Sequence, residues 1–239
     1  MSPVPAAVEL AAGVWRIPTA GDLVNSFAFV DGDGAVTLVD AGLRGATRPI
    51  VAGLAAIGRS PSDVDRILVT HAHPDHIGSA RALRARTGAS VHVHDHDADY
   101  VRHGRMTPRD PRLALGRVLQ FVQRRQPRCE VDEVFTDGDL LPVAGGLRVL
   151  HTPGHTPGHC AFVHEPSGVL VTGDSIMNWF GRRRWSFLSS CTDYVMCKDT
   201  AERLCEPDYE IAAFTHGPEL RVGAREAVRA FVRERRSGR

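Results

Sequence analysis

The sequence predicts an α/β fold in which two β-sheets pack face to face and helices cover their outer faces. Two observations lead there. Short apolar, strand-like runs fall into two groups, one in each half of the chain, and both groups are interleaved with segments whose apolar residues recur at helical spacing. No internal repeat or low-complexity linker separates the halves, and 239 residues suit a layered α/β enzyme, so residues 1–239 are read as a single domain.

The chain opens as a β-meander. Val14–Ile17, Val24–Val30 and Ala35–Val39 are strand-like, with the turn Asp31-Gly32-Asp33-Gly34 between the last two. A helix follows, entered at Thr47, with Ile50, Val51, Leu54 and Ile57 on one face and its end at Gly58. Asp65–Thr70 reads as a buried strand, and a helix starting at His76 carries Ile77, Ala80 and Leu83 and stops at Gly88. Ser90–His94 is another strand. Pro111–Gln123 sets Leu115, Val118, Leu119 and Val122 at helical spacing, which predicts a helix covering a sheet face. The second half offers strands at Leu147–Leu150, Cys160–His164 and Val169–Val171, a loop-rich stretch to Ser190, a short helix near Thr200–Leu204 and a strand at Ile211–Thr215. In the closing helix Ala224, Ala227, Val228, Phe231 and Val232 form one apolar stripe with Arg225, Arg229 and Arg233 opposite.

Composition excludes several classes of function. Lys plus Arg number 29 against 28 Asp plus Glu, so net charge makes no case for nucleic acid as a partner. No apolar stretch approaches the ~20 residues that span a bilayer, and the first residues lack the basic-then-apolar pattern of a secretory signal. The expectation is a cytoplasmic protein without a membrane partner, acting on a small molecule. Its five cysteines (Cys129, Cys160, Cys191, Cys197 and Cys205) form an odd set with no CxxC pair, and read as reduced thiols.

Chemistry concentrates in His71-Ala72-His73-Pro74-Asp75-His76, at the junction of a strand and a helix. Three imidazoles and a carboxylate within six residues cannot be buried without partners, because each desolvated polar group costs several kcal/mol. A metal supplies the partner. Three further fragments place a His or Asp just beyond an apolar strand, where layered α/β folds expose ligands: His151-Thr152-Pro153-Gly154-His155-Thr156-Pro157-Gly158-His159, Val171-Thr172-Gly173-Asp174 and Phe214-Thr215-His216-Gly217. Their glycines and prolines let the backbone turn sharply enough to aim a side chain into a cleft. His151 and His159, at the ends of their loop, are read as structural. So are His92, His94 and His96, which alternate along one strand face but have no partner in sequence to complete a ligand set. The mix of aromatic and guanidinium groups from Met177 to Trp185 is expected to overhang the cleft as a lid, with Trp179 and Arg183 receiving an apolar acyl group that bears an anion.

These four fragments, in this order, together with Val39-Asp40-Ala41-Gly42, resemble the metallo-β-lactamase fold superfamily over most of the chain. The resemblance implies a four-layer αββα sandwich of two packed mixed sheets. It implies one metal held by His71, His73 and His155 and a second by Asp75, His76 and His216, with Asp174 bridging them. Such donors suit two zinc ions, and also iron or manganese. Asp40 would accept the other N–H of a ligand imidazole. Water shared by two dications ionises near a pKa of about 7, so hydroxide would be at hand at neutral pH, with Asp75 or Asp174 orienting it or carrying a proton to the leaving group.

Within that superfamily the sequence favours a dinuclear hydrolase of a small ester, lactone or thioester. The alternatives are a mononuclear iron enzyme resembling persulfide dioxygenases, a phosphodiesterase, and a metal-binding module without turnover. Class B1 and B2 β-lactamases place a Cys where Asp174 stands. Glyoxalase II enzymes add a C-terminal helical region, RNase Z type nucleases an RNA-gripping arm, and lactonases often a Tyr where Met177 stands. Flavodiiron proteins typically have Glu at the position of His73.

Overall fold

The computed structural model describes residues 4–237. Seven strands follow one another across the first sheet: β1 (Val8–Ala11), β2 (Val14–Pro18), β3 (Asn25–Val30), β4 (Val36–Val39), β5 (Val64–Val69), β6 (Ser90–His94) and β7 (Glu133–Phe135). Neighbours are antiparallel from β1 to β4 and parallel from β4 to β7. Next come β8 (Leu140–Leu141), β9 (Leu147–His151), β10 (Cys160–His164) and β11 (Val169–Val171), then the hairpin β12 (Ile176–Trp179) and β13 (Arg182–Trp185), then β14 (Ile211–Ala213). The second sheet has the order β14-β11-β10-β9-β8, with β14 parallel to β11 and the other pairs antiparallel.

Strand periodicity explains the layering. On β3, Phe27 and Phe29 enter the core between the sheets and Ala28 the core under the helices; on β5, Leu68 faces inward and Ile67 and Val69 outward. The second sheet alternates in the same way, with Cys160 and Phe162 inward, Ala161 and Val163 outward. Such strands are buried on both faces and read as continuous apolar runs. Helices α1 (Thr47–Ala56), α3 (Ala80–Thr87) and α4 (Asp95–His103) cover the first sheet through Ile50, Leu54, Leu83, Ala98 and Val101. Helix α7 (Ala224–Ser237) covers the second through Val228, Phe231 and Val232. The αββα sandwich predicted from sequence is therefore the observed architecture.

Three local expectations differ from what is found. The helix expected from His76 to Gly88 is two, a single turn α2 (Pro74–Ile77) and then α3, because the chain bends at Gly78 against the backbone of Leu43 and Arg44 and Ser79 donates to the Leu43 carbonyl at 2.7 Å. The loop-rich stretch to Ser190 contains the β12–β13 hairpin, and the short helix expected near Thr200 is α6 (Tyr194–Thr200) running into a 3-10 turn, Ala201–Cys205. Helix α5 (Ala114–Val122) covers no sheet, and its Leu115, Val118, Phe121 and Val122 are exposed. The segment that carries it is an excursion closed at its base by Met106 N–H to Arg124 O, 3.1 Å, and Gln126 N–H to Gly104 O, 2.9 Å, so the helix stands off the sandwich.

Candidate metal centre

The motifs meet at one end of both sheets because parallel neighbours end together. Asp40 follows β4 and the His71–His76 run follows β5; Asp174 follows β11 and His216 follows β14; His155 sits in the loop from β9 to β10. Asn25 pins the two sheets at this end, donating from Nδ2 to the carbonyls of Phe214 (2.9 Å) and Gly217 (2.8 Å).

All seven predicted metal-site residues line this one end. His155 Nε2 lies 2.9 Å from His73 Nδ1 and 3.1 Å from His71 Nε2. Beside this trio, Asp75 Oδ2 is 3.6 Å from His76 Nε2 and 3.4 Å from His216 Nε2. Asp174 stands between the groups: its Oδ2 is 3.4 Å from His155 Nε2 and 3.3 Å from His216 Nε2, and its Oδ1 is 3.4 Å from His76 Nε2. Within each of the sets His71-His73-His155, Asp75-His76-His216 and His71-His76-Asp174 the donor atoms are within 4.8 Å of one another.

The hydrogen bonds on the far side of the rings decide which nitrogens face inward as lone pairs. His216 Nδ1 is 2.6 Å from the Leu23 carbonyl and His76 Nδ1 is 2.7 Å from Asp40 Oδ2; both oxygens only accept, so both Nδ1 atoms carry hydrogen. Thr70 Oγ1 donates to Asp40 and is left to accept from His71 Nδ1 at 3.0 Å. The outer nitrogens of His73 and His155 meet Thr107 Oγ1 (3.0 Å) and Ser186 Oγ (2.7 Å). Fixing tautomers through the second nitrogen is the usual support of a metal-ligating imidazole. His76 Nε2 and His216 Nε2 are left buried and without a hydrogen-bond partner, an arrangement that a cation completes. The donor set fits the metals named from sequence.

Charge is distributed unevenly across the cluster. Burial, reinforced by neighbouring imidazoles, pushes His71 and His155 well below the ordinary histidine range, and burial lowers His73 to about 3. These three stay neutral, as ligands must. Burial also opposes the charged forms of His76 and His216, but Asp174 with Asp40 and Asp75 outweighs it at His76, and Asp174 with Asp75 raises His216 to about 10. That half of the site favours positive charge, whether proton or metal.

Several supporting residues escaped the sequence reading. Asp97, buried on α4, accepts from Ala72 N–H (2.7 Å), Thr156 Oγ1 (2.6 Å) and Gly158 N–H (2.7 Å), and so ties the His71–His76 loop to the loop of His155. A Cβ at Gly158 would lie 2.7 Å from the Asp97 nitrogen, so glycine is required there. The only sequence signal for Asp97 is an acidic residue in the first turn after a strand rich in histidines. Thr107 and Arg109 come from the excursion around α5, which carries no motif.

A cavity of about 380 Å³ opens over the cluster, walled by Leu23, Val24, Leu43, Met177, Trp179 and Phe187, with Asp75, Asp174 and Arg109 at its polar side. Trp179 therefore sits where the lid expectation put it, 6.4 Å from the His216 ring, on a hairpin held by Asn178 N–H to His216 O at 2.8 Å. Arg183 does not line the cavity; Arg109 supplies the guanidinium instead, anchored to the Ser189 carbonyl at 3.1 Å.

A family model described as the metallo-beta-lactamase superfamily matches residues 20–216. The chain belongs to this superfamily. It is 31% identical over 173 residues to ML0493 of Mycobacterium leprae, a match covering 70% of this chain and 75% of that one. It is 35% identical over 166 residues to a hydroxyacylglutathione hydrolase of Cereibacter sphaeroides, covering 68% of this chain and 52% of the relative, so the likeness spans about half of that enzyme. Among solved structures, a metallo-beta-lactamase family protein of Thermus thermophilus superposes with a TM-score of 0.70 at 25% identity, over 96% of this chain and 81% of its own. The protein is accordingly a metallo-hydrolase of this fold, and no helix among the described residues is long and apolar enough to cross a membrane.

Proposed function

We propose that this superfamily member is a cytoplasmic dinuclear hydrolase, zinc-dependent by preference, that cleaves a small ester, lactone or thioester with an apolar acyl part and an anionic group. One observation carries the dinuclear reading: two separate donor trios, His71-His73-His155 and Asp75-His76-His216, share the carboxylate of Asp174. Cations held there would acidify water and polarise a carbonyl oxygen. The chain's own residues supply the rest. Asp75, a third exposed to the cavity, is placed to orient the attacking water and to pass its proton to the leaving group. Leu23, Met177, Trp179 and Phe187 exclude water from the acyl part, and Arg109, partly desolvated with its pKa lowered by burial, offers a bidentate partner to a carboxylate. The likeness to hydroxyacylglutathione hydrolases, whose name denotes a thioester substrate, supports the same class of bond.

The test is to strip the protein with a chelator, reload it with zinc, manganese or iron, and assay thioesters, lactones, esters and phosphodiesters. Two equivalents at this centre with hydrolysis of the first three classes is expected. One iron per chain with oxygen consumption, or a preference for phosphodiesters, would overturn the proposal.

A further inference from the structure

A second histidine cluster lies outside the centre described above. His94 ends β6, His96 sits in the first turn of α4 and His151 ends β9. The rings of His94 and His151 stack nearly parallel, 15° apart with centroids at 4.1 Å; His96 closes the triangle at 5.1 Å from His94 and 5.4 Å from His151. One ring nitrogen of each lies within 4.8 Å of the others. His151 Nε2 is 2.8 Å from the Pro157 carbonyl, which only accepts, so the lone pair of His151 is on Nδ1. Two carboxylates stand by: Asp95 Oδ1 is 2.9 Å from His94 Nδ1 and 3.7 Å from His96 Nε2, and Asp137 accepts the backbone N–H of His151 at 2.9 Å while pairing with Arg203. His92, the other histidine of β6, is engaged instead with Ser90 Oγ at 2.8 Å.

We propose that His94, His96 and His151 form a further metal site for a late first-row divalent cation such as zinc, nickel or copper. Three imidazoles are the donor set these ions prefer, and the exposure of His96 leaves room for water to complete the coordination. The sequence lacked the completing partner because His151 is 55 or more residues away from the other two and reaches them only through the sandwich.

The site joins two elements that hold the catalytic loop. Helix α4 carries Asp97, which binds Ala72, Thr156 and Gly158, and β9 runs directly into the segment that bears His155. A cation here clamps the base of that loop and stabilises the native state by preferential binding. The site would be structural, behind the catalytic centre rather than part of it.

Zinc titration of the metal-loaded protein tests this, read by bound zinc after equilibrium dialysis and by the thermal midpoint. Wild type should bind one equivalent more than His96→Ala and His151→Ala, and its midpoint should rise with added zinc while theirs do not. Each variant should hold that last equivalent at least about tenfold more weakly. His96→Ala, exposed and outside the catalytic set, should keep its hydrolytic rate. Equal stoichiometry and an equal midpoint response in either variant would overturn the site. Because the reading is a difference between wild type and variant, it stands apart from whether the main centre binds two metals or one.

Discussion

His159 Nε2 accepts the backbone N–H of Asp174 at 2.7 Å, and its Nδ1 is 3.0 Å from the Thr152 carbonyl, which fixes the accepting lone pair. A histidine outside the ligand set thus aims the residue between the two trios. His159→Ala leaves a buried N–H unsatisfied, for a loss of about 1–3 kcal/mol in stability, and releases Asp174. Metal affinity should fall roughly 10–100-fold. Denaturant unfolding and a metal titration on the same sample measure both.

Removing Asp174 itself should be more severe for function than for folding. Asp174→Ala takes away the carboxylate common to both trios, so metal content after dialysis should drop and turnover should disappear. A variant with full activity would contradict the bridging role.

In the chelated protein His216 has its pKa raised to about 10, against an ordinary ~6.5 in the unfolded chain. A raised folded pKa means that its stabilising contribution is complete below about 6.5 and is lost as pH rises through about 10. A metal must displace that proton. Apparent affinity for the second metal should therefore climb with pH throughout the range below about 10 and level off above, a profile accessible by competition with a chelator of known pH dependence.

Arg109 should discriminate substrates by charge. Arg109→Ala is expected to raise KM for a carboxylate-bearing ester by roughly ten- to a hundredfold, the worth of a charge-assisted hydrogen bond of about 1.5–3 kcal/mol. Its kcat should change little. A neutral ester of the same acyl group should show no difference, and equal effects on both substrates would rule out the charge role.

Asp97→Asn keeps the shape but puts an amide donor among three donors. At least one loses its acceptor, and stability should fall by about 1.5–3 kcal/mol. Since Asp97 touches no predicted ligand side chain, reduced metal affinity in a folded Asp97→Asn protein would report loop positioning alone.

How far the sequence reached depended on how local the signal was. Strands β3, β5, β9, β10 and β11 were legible from apolar runs, and α7 from one stripe of Ala224, Val228, Phe231 and Val232, since both periods follow from backbone geometry within a few residues. The hairpin at Ile176–Trp185 was not, because its strands are only four residues each, Arg182-Arg183-Arg184 shows no alternation of polarity, and the two are held by one another and by the His216 loop. Helix α5 misled in the opposite way. Its stripe has helical spacing, but the contacts of residues 104–126 with each other lift it off the sheet the stripe was expected to cover.

The sequence by itself determined the layered α/β class, the seven residues His71, His73, Asp75, His76, His155, Asp174 and His216, and the place of each just past a strand end. Those features are encoded in side-chain chemistry and short-range turns. Only the tertiary structure decided which nitrogens face inward, that Asp97 and His159 hold the ligand loops, that Arg109 rather than Arg183 faces the cavity, and that His151 meets His94 and His96. Each of these joins residues from separate elements of the chain, and the packing of two sheets and their connecting loops, not proximity in sequence, brings such partners within reach.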